Sequence, residues 1–163
     1  MAQAGSIVTK KVRELLAGSA PAALSVIADL EGVQLPQMQA HQVIAQNISP
    51  DILEHSTVAK YPLLHIYCAK VTNLLREKFR TFSGEAQMVV EVRISQDRLD
   101  DLDRQTEWYT DAVARVLDEN RGDWGDGSFY GGGYEITYGP IKHGGRNFLQ
   151  IAKIIFTVDI SLN

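Results

Sequence analysis

Residues 87–122 have the sequence QMVVEVRISQDRLDDLDRQTEWYTDAVARVLDENRG, and the hydrophobic period changes once within them. Apolar and polar side chains largely alternate over residues 87–95, which predicts a half-buried β-strand. Over residues 97–121 apolar side chains recur every three or four positions, which predicts one long amphipathic helix. Asp97 is the candidate N-cap of this helix and Gly122 its stop. A strand followed by a one-sided helix indicates a sheet with a helix on one face.

Further strands are predicted on both sides of this stretch. Residues 61–68, YPLLHIYC, are rich in aromatic and branched side chains, and residues 134–142 and 148–160 form a second pair joined by a Gly-Gly turn. Residues 70–82 fit either a helix or a long excursion. The order of elements predicts an α+β fold, in which a mainly antiparallel sheet of about four strands is covered by one long helix.

The first 60 residues are predicted to form additional N-terminal helices and then an irregular arm. A helical repeat ends at Gly18, and Pro21 suits the first turn of a second helix. The length of 163 residues indicates a single domain, residues 1–163, with its sheet-plus-helix core over residues 61–163.

Composition limits the possible functions. Apolar residues make up 45% of the chain and charged residues 22%, and no apolar run approaches the ~20 residues of a membrane span, so no membrane partner is expected. The single cysteine, Cys68, excludes an internal disulfide. No histidine has a metal-ligand spacing, and neither a GxSxG nor a GxxxxGK[ST] motif occurs. We therefore expect no enzymatic activity, no bound metal and no cofactor.

The net charge of −4 lies entirely on the predicted long helix. Residues 97–121 hold eight acidic and four basic side chains, and the remainder of the chain is neutral. Three interpretations stay open: a solvated helix face, a surface to which passing DNA does not adhere, or a contact for a basic partner.

Nine of the 13 glycines lie between Gly122 and Gly145. A calcium loop would need more oxygen ligands than this segment offers, and a dinucleotide-binding loop would follow a strand and open a helix. The large rings of Trp124, Phe129 and Tyr130 stand among these glycines. They predict either a docking surface for a partner or rings that pack on the protein's own sheet.

The turn between the last two strands supplies a second set of candidate protein contacts. These are Lys142, His143 and Arg146. Flexible hairpins and strand edges of this kind suit the heterologous contacts that close a ring of identical subunits.

A resemblance is carried by three segments and by their order around the long helix. The segments are YPLLHIYC at 61–68, MVVEVRIS at 88–95 and ENRGDWGDGSFYGGGYEITYGPIKHGGRNFLQIAKIIF at 119–156. Over residues 60–160 the chain resembles the tail terminator, or tail-completion, proteins that sit at the head–tail junction of tailed bacteriophages.

The resemblance implies a non-enzymatic structural protein of the virion tail or neck that assembles in the host cytoplasm. It implies a homo-oligomer, a hexameric ring that caps the tail tube, ends its polymerisation and joins it to the neck or head connector. DNA would pass through the lumen without specific binding, and six subunits of net charge −4 would repel its phosphates. Two alternatives remain: another ring-forming virion protein, such as a tube or connector component, and a small cytosolic ligand-binding domain or enzyme.

Overall fold

The computed structural model describes residues 2–48, 61–144 and 147–163. Helix α1 comes first, and a 3₁₀ turn at Ala40–Gln42 leads from it to the first strand. The elements are α1 (Ala2–Glu31), β1 (Val43–Ile44), β2 (Leu63–Asn73), β3 (Phe82–Gln96), α2 (Leu102–Glu119), β4 (Gly122–Gly125), β5 (Ser128–Tyr130), β6 (Glu135–Tyr138), β7 (Lys142–Gly144) and β8 (Asn147–Leu162).

The strands form one mixed, mostly antiparallel sheet that curls into a half-barrel. The hydrogen-bonded order is β1-β2-β3-β8-β5-β4, and β6 and β7 also pair with β8. Strand β8 is the centre: it pairs with β3 from Phe82↔Leu162 to Gln96↔Phe148 without a register shift. Its other edge carries β7, β6 and β5 in succession.

Both helices pack on the sheet, and one hydrophobic core lies between them and its inner face. Helix α1 buries an apolar side chain about every fourth residue, and β3 buries every second one on the same side. These core residues are Ala4, Val8, Val12 and Leu16 from α1, and Met88, Val90, Val92 and Ile94 from β3. Neither described helix is long and apolar enough to cross a membrane.

The predicted α+β class, with helices covering a mainly antiparallel sheet, is confirmed. The N-terminal part differs, because α1 is one helix that continues through Gly18 and Pro21. Its buried stripe runs on without a break through Leu16, Ala20 and Leu24. Burial of this stripe outweighs the cost of about 1 kcal/mol for glycine and about 3 kcal/mol for proline inside a helix.

The start of the long helix was also predicted wrongly. Helix α2 begins at Leu102, and its first hydrogen bond runs from the Gln105 amide to the Asp101 carbonyl (2.9 Å). Asp97 is not the N-cap, because β3 continues to Gln96 and an irregular segment follows. Asp101 precedes the helix and its side chain makes no capping hydrogen bond.

The sheet holds eight strands rather than about four. Residues 122–144 contribute four short strands, three of which pair directly with β8 while β4 pairs with β5. Residues 70–82, where helix and excursion both fitted, extend β2 to Asn73 and then form a loop. The described part of the predicted irregular arm contributes β1, which pairs in parallel with β2.

Candidate interaction site

The aromatic segment after α2 folds into the β4–β5 hairpin rather than a free loop. The hairpin is attached to the main sheet by the pairs Ser128↔Ile160 and Phe129↔Asp159. Because side chains alternate along a strand, β5 directs Tyr130 into the core and Phe129 outward.

The three aromatic contact candidates therefore have different environments. Tyr130 is fully buried, with its ring 5.5 Å from that of Phe156, so its assignment to an interface is corrected: it packs on the protein's own sheet. Trp124 is half-buried, lies 5.3 Å from the Tyr130 ring and donates its Nε1 proton to the Asn120 carbonyl (2.7 Å). Phe129 is 49% exposed and remains available to a partner.

The candidate contact residues of the last hairpin lie at the start of β8, whereas the β4–β5 hairpin pairs near its end. Lys142 and His143 are exposed on β7, where they pair in register with Leu149 and Phe148. The His143 ring meets the Phe148 ring edge-on at 5.4 Å. Arg146 lies outside the described residues.

The loop between β2 and β3, residues 74–81, which we call the tip, holds the most exposed large apolar side chain of the described residues and a second strongly exposed one. Phe79 is fully exposed and Leu75 is 66% exposed. Both have a positive φ, 66° and 48°, which is rare for bulky side chains. Apolar exposure and a left-handed backbone both cost stability, so folding of the isolated subunit does not account for the tip.

The side chain of Asn73 organises the tip from its base. Its Oδ1 accepts hydrogen bonds from the Leu75 amide (3.2 Å) and the Ser83 amide (3.1 Å). Its Nδ2 donates to the Thr81 carbonyl (3.2 Å). The Glu77 amide adds a bond to Ser83 Oγ (3.1 Å). Four local hydrogen bonds thus hold a short loop in one shape.

Ionic and polar contacts tie the tip to the neighbouring strands. The Arg76 guanidinium bridges Glu85 on β3 (3.1 Å) and Asp159 on β8 (2.9 Å). Ser161 Oγ donates to the Glu77 carboxylate (2.8 Å). These contacts hold the exposed apolar side chains of the tip in one arrangement, and a surface that is ordered in advance loses less entropy when it binds.

Sequence reasoning missed the tip because its spacing is ambiguous. Leu75 and Phe79 are four positions apart, as on a helix face. The available signal was Asn73, a residue type whose side chain bonds to nearby backbone and favours turns.

A second surface feature is a basic cleft between the N-terminal half of α1 and the outer edge of β2. Its volume is about 630 Å³. Lys10, Arg13 and Lys70 line it together with the hydroxyl groups of Ser6 and Thr9, and no carboxylate is among its described lining residues. The cleft thus places these cations beside a part of the β2 edge that no described strand pairs.

Cys68 also lines this cleft. Its Sγ donates to the Lys70 carbonyl (3.4 Å), and burial raises the pKa of the thiol above its ordinary value. A raised pKa keeps the thiol protonated, which disfavours nucleophilic chemistry. Among the described residues no three His, Cys, Asp or Glu side chains are grouped as a metal site requires.

An acidic face lies on α2, formed by Glu107 and Asp111. Partial burial, followed by the charges of Glu107 and Glu31, raises the pKa of the Asp111 carboxyl. The same two carboxylates lie close enough to Tyr138 on β6 to contribute to the raised pKa of its hydroxyl, after burial. The acidic face therefore holds like charges close together on α2, within electrostatic range of Tyr138 on β6.

A buried polar cluster occupies the sheet face opposite the helices. Burial acts to raise the pKa of Glu91, but hydrogen bonds from Arg93 and Tyr67 and the charges of Arg93 and Lys153 outweigh it, so the pKa lies below its ordinary value. Arg93 is fully buried and also donates to the Ile48 carbonyl (2.5 Å). The cluster fastens the segment after β1 to the sheet.

The histidine of β2 belongs to the same region. His65 is fully buried, and its Nδ1 lies 3.3 Å from the Gln46 carbonyl. Burial, followed by the charge of Arg93, lowers its pKa below the ordinary value. His65 is thus a packed interior group of the sheet.

No protein-family model matches the chain, and no curated protein shows significant similarity to it.

Proposed function

We propose that the protein is a tail terminator of a tailed bacteriophage. In this role identical subunits form a ring on the end of the tail tube, stop its polymerisation and join it to the neck or head connector. The observation that carries the proposal is the tip, because a rigid loop that presents Leu75 and Phe79 to solvent serves a contact outside the subunit.

The tip and the β7 hairpin contact opposite ends of β8, and they fit two different partners. The tip is bound to Asp159, whereas β7 pairs near Phe148. Phe148 and Asp159 are eleven positions apart, which corresponds to about 35 Å along an extended strand. We assign the tip to the tail tube and the β7 hairpin, with Lys142 and His143, to the connector side.

Phe129 extends the tube-facing surface. It pairs in register with Asp159, the residue that Arg76 of the tip binds, so its exposed ring lies on the same end of the sheet. Aromatic side chains in a preordered setting are frequent anchors of protein interfaces. Leu75, Phe79 and Phe129 thus form one candidate tube contact.

The charge of the assembly suits the passage of DNA. Each subunit carries −4, so a hexamer would carry six times that charge. A negative lumen repels phosphates and removes the electrostatic attraction that drives nonspecific DNA binding. The ring therefore conducts DNA without binding it.

The experiment combines native mass measurement with tube growth. The wild-type subunit of 18.1 kDa should form a ring of about 109 kDa if six copies assemble, and should arrest polymerisation of the tail tube protein of its phage. Leu75→Ser with Phe79→Ser should keep the ring and lose the arrest. Leu30→Ser, an exposed leucine at the end of α1, is the matched control and should arrest growth normally.

Two results would overturn the proposal. One is a wild-type protein that neither forms a ring nor stops tube growth. The other is a tip variant that stops tube growth as well as the wild-type protein does.

A further inference from the structure

We propose that the ring closes when the acidic face of α2 in one copy docks against the basic cleft of the next copy. This inference rests on the proposed function, because it names the contact by which the proposed ring is built. The occupant of the cleft is thus a second copy of this chain, and the contact is head-to-tail.

The cleft has groups that are not satisfied within the subunit. Lys10 is 78% exposed, and its nearest carboxylate is Glu14 at 4.0 Å, the long limit of an ion pair. Lys70 is exposed and forms no ion pair with a described residue. Lys10 lies on the α1 side of the cleft and Lys70 on the β2 side, so both cations can reach an acidic surface that enters it.

The backbone of β2 is also open along the cleft. Of the described strands, only β1 pairs with this edge, at Leu64 and His65. Beyond His65 the strand continues to Asn73 with its other edge bonded to β3. This part of the edge, which no described strand pairs, supplies backbone donors and acceptors beside Lys70, and natural proteins usually cover edges of this kind.

The acidic face of α2 is the electrostatic complement of the basic cleft. Glu107 and Asp111 are both exposed, one helical turn apart, and no described cation forms an ion pair with either. Their mutual repulsion is unfavourable in the isolated subunit. Cations from a second copy would remove that repulsion, so the contact stabilises both surfaces.

The positions of the two surfaces suit a ring. The cleft lies along β2, and the acidic face lies on α2, whose carboxylates act electrostatically on Tyr138 of β6. Strands β3 and β8 lie between β2 and β6, so the two surfaces are distinct and separated across the sheet. A contact between two different surfaces repeats one rotation from copy to copy, and it closes a ring when that rotation divides a full turn evenly.

Charge favours this occupant over nucleic acid. The chain carries its own acidic complement, and its net charge of −4 opposes approach of a phosphate backbone. The open strand edge offers a polypeptide hydrogen bonds that a phosphodiester chain cannot match in register.

The test is a charge-reversal exchange, measured by native mass spectrometry and sedimentation. One variant carries Lys10→Glu and Lys70→Glu, and the other carries Glu107→Lys and Asp111→Lys. Each alone should assemble at least 10-fold more weakly than the wild-type protein. An equimolar mixture should form rings in which the two variants alternate, and the chain with all four substitutions should assemble alone.

Arg98→Glu is the matched control for Lys70→Glu, because it reverses an exposed cation away from the cleft. It should leave assembly unchanged. Thermal unfolding of every variant near the wild-type temperature shows that the fold is retained.

The outcomes separate this inference from the proposed function. If the wild-type protein forms rings and both charge-reversal variants form them equally well, the contact is overturned and the ring stands. The same conclusion follows if neither the mixture of the two variants nor the chain with all four substitutions restores the ring. Absence of any wild-type ring overturns both proposals. Duplex DNA that binds the wild-type cleft and not the Lys10→Glu, Lys70→Glu variant, with ring formation unchanged, overturns the contact in favour of a phosphate ligand.

Discussion

The β4–β5 hairpin and the tip are both short segments, yet the hairpin buries a large apolar side chain and the tip exposes one. The hairpin is rich in glycine and aromatic rings, and it buries Tyr130 completely. The tip has an ordinary, charged sequence, and it leaves Phe79 fully exposed. Composition therefore does not distinguish a docking loop from a packed one.

The difference lies in where each segment finds its hydrogen bonds. The hairpin bonds to β8, and strand alternation then places Tyr130 against Phe156. The tip bonds to itself through Asn73 and to its neighbours through Arg76, so its apolar side chains receive no place in the core. Because the polar side chains of Asn73 and Arg76 hold the tip on the strands beneath it, its apolar side chains point to solvent.

The largest effect is expected when the buried ring of the hairpin is removed. Tyr130→Ala should lower the free energy of unfolding by about 3–5 kcal/mol, because a large side chain is lost from a packed site. Urea unfolding measures the change. Phe129→Ala, one residue away and half-exposed, is the control and should cost less than about 1 kcal/mol. Equal costs would show that the two rings share one environment.

The next effect tests the close approach of the hairpin turn to β8. A Cβ at Gly127 would lie 2.1 Å from the Ser161 carbonyl oxygen, at a φ of 77°. Gly127→Ala should therefore destabilise by about 3 kcal/mol. Gly133 has a φ of 89° and open space around it, so Gly133→Ala should cost only about 1 kcal/mol. Thermal unfolding compares them, and a neutral Gly127→Ala would contradict the packing of the turn.

A smaller effect on the free energy of unfolding is expected when Asn73, at the base of the tip, is replaced. Asn73→Ala should cost about 1 kcal/mol and should speed hydrogen exchange at the Leu75 and Ser83 amides, which lose their acceptor. Asn73→Asp keeps an oxygen acceptor and should protect both amides. Unchanged exchange in Asn73→Ala would mean that the tip does not depend on this side chain.

The smallest effect on stability is expected at the tip's own ring. Phe79→Ser should change the free energy of unfolding by no more than about 0.5 kcal/mol, since the side chain is fully exposed. A clear loss of stability in urea would place Phe79 in the core of the subunit and end the contrast with Tyr130.

Local patterns predicted the parts of the fold that local patterns determine. The alternation in residues 87–95 identified β3, and the periodicity in residues 97–121 identified α2, because each element shows its buried face in its own sequence. Phe129 was a candidate contact on sequence alone and remains exposed.

The remaining features depend on pairs of segments that are distant in sequence. Tyr130 is buried because β5 pairs with β8, where Ser128 faces Ile160, 32 positions further along the chain. The basic cleft joins Lys10 on α1 to Lys70 on β2, 60 positions apart. No local window contains both members of such a pair, so neither feature could be predicted.

The attachment of the tip to β8 has a consequence for the order in which the tip gains its contacts during folding. Strands β2 and β3 are neighbours in sequence and can pair early, whereas β8 must close a loop of about fifty residues before it meets β3. Arg76 and Thr81 of the tip bond to Asp159 and Leu162 of β8. A chain in which β8 has not yet paired therefore lacks these two anchors of the tip, although the local hydrogen bonds around Asn73 can already form. The tip is thus complete only when the last strand of the chain is in place.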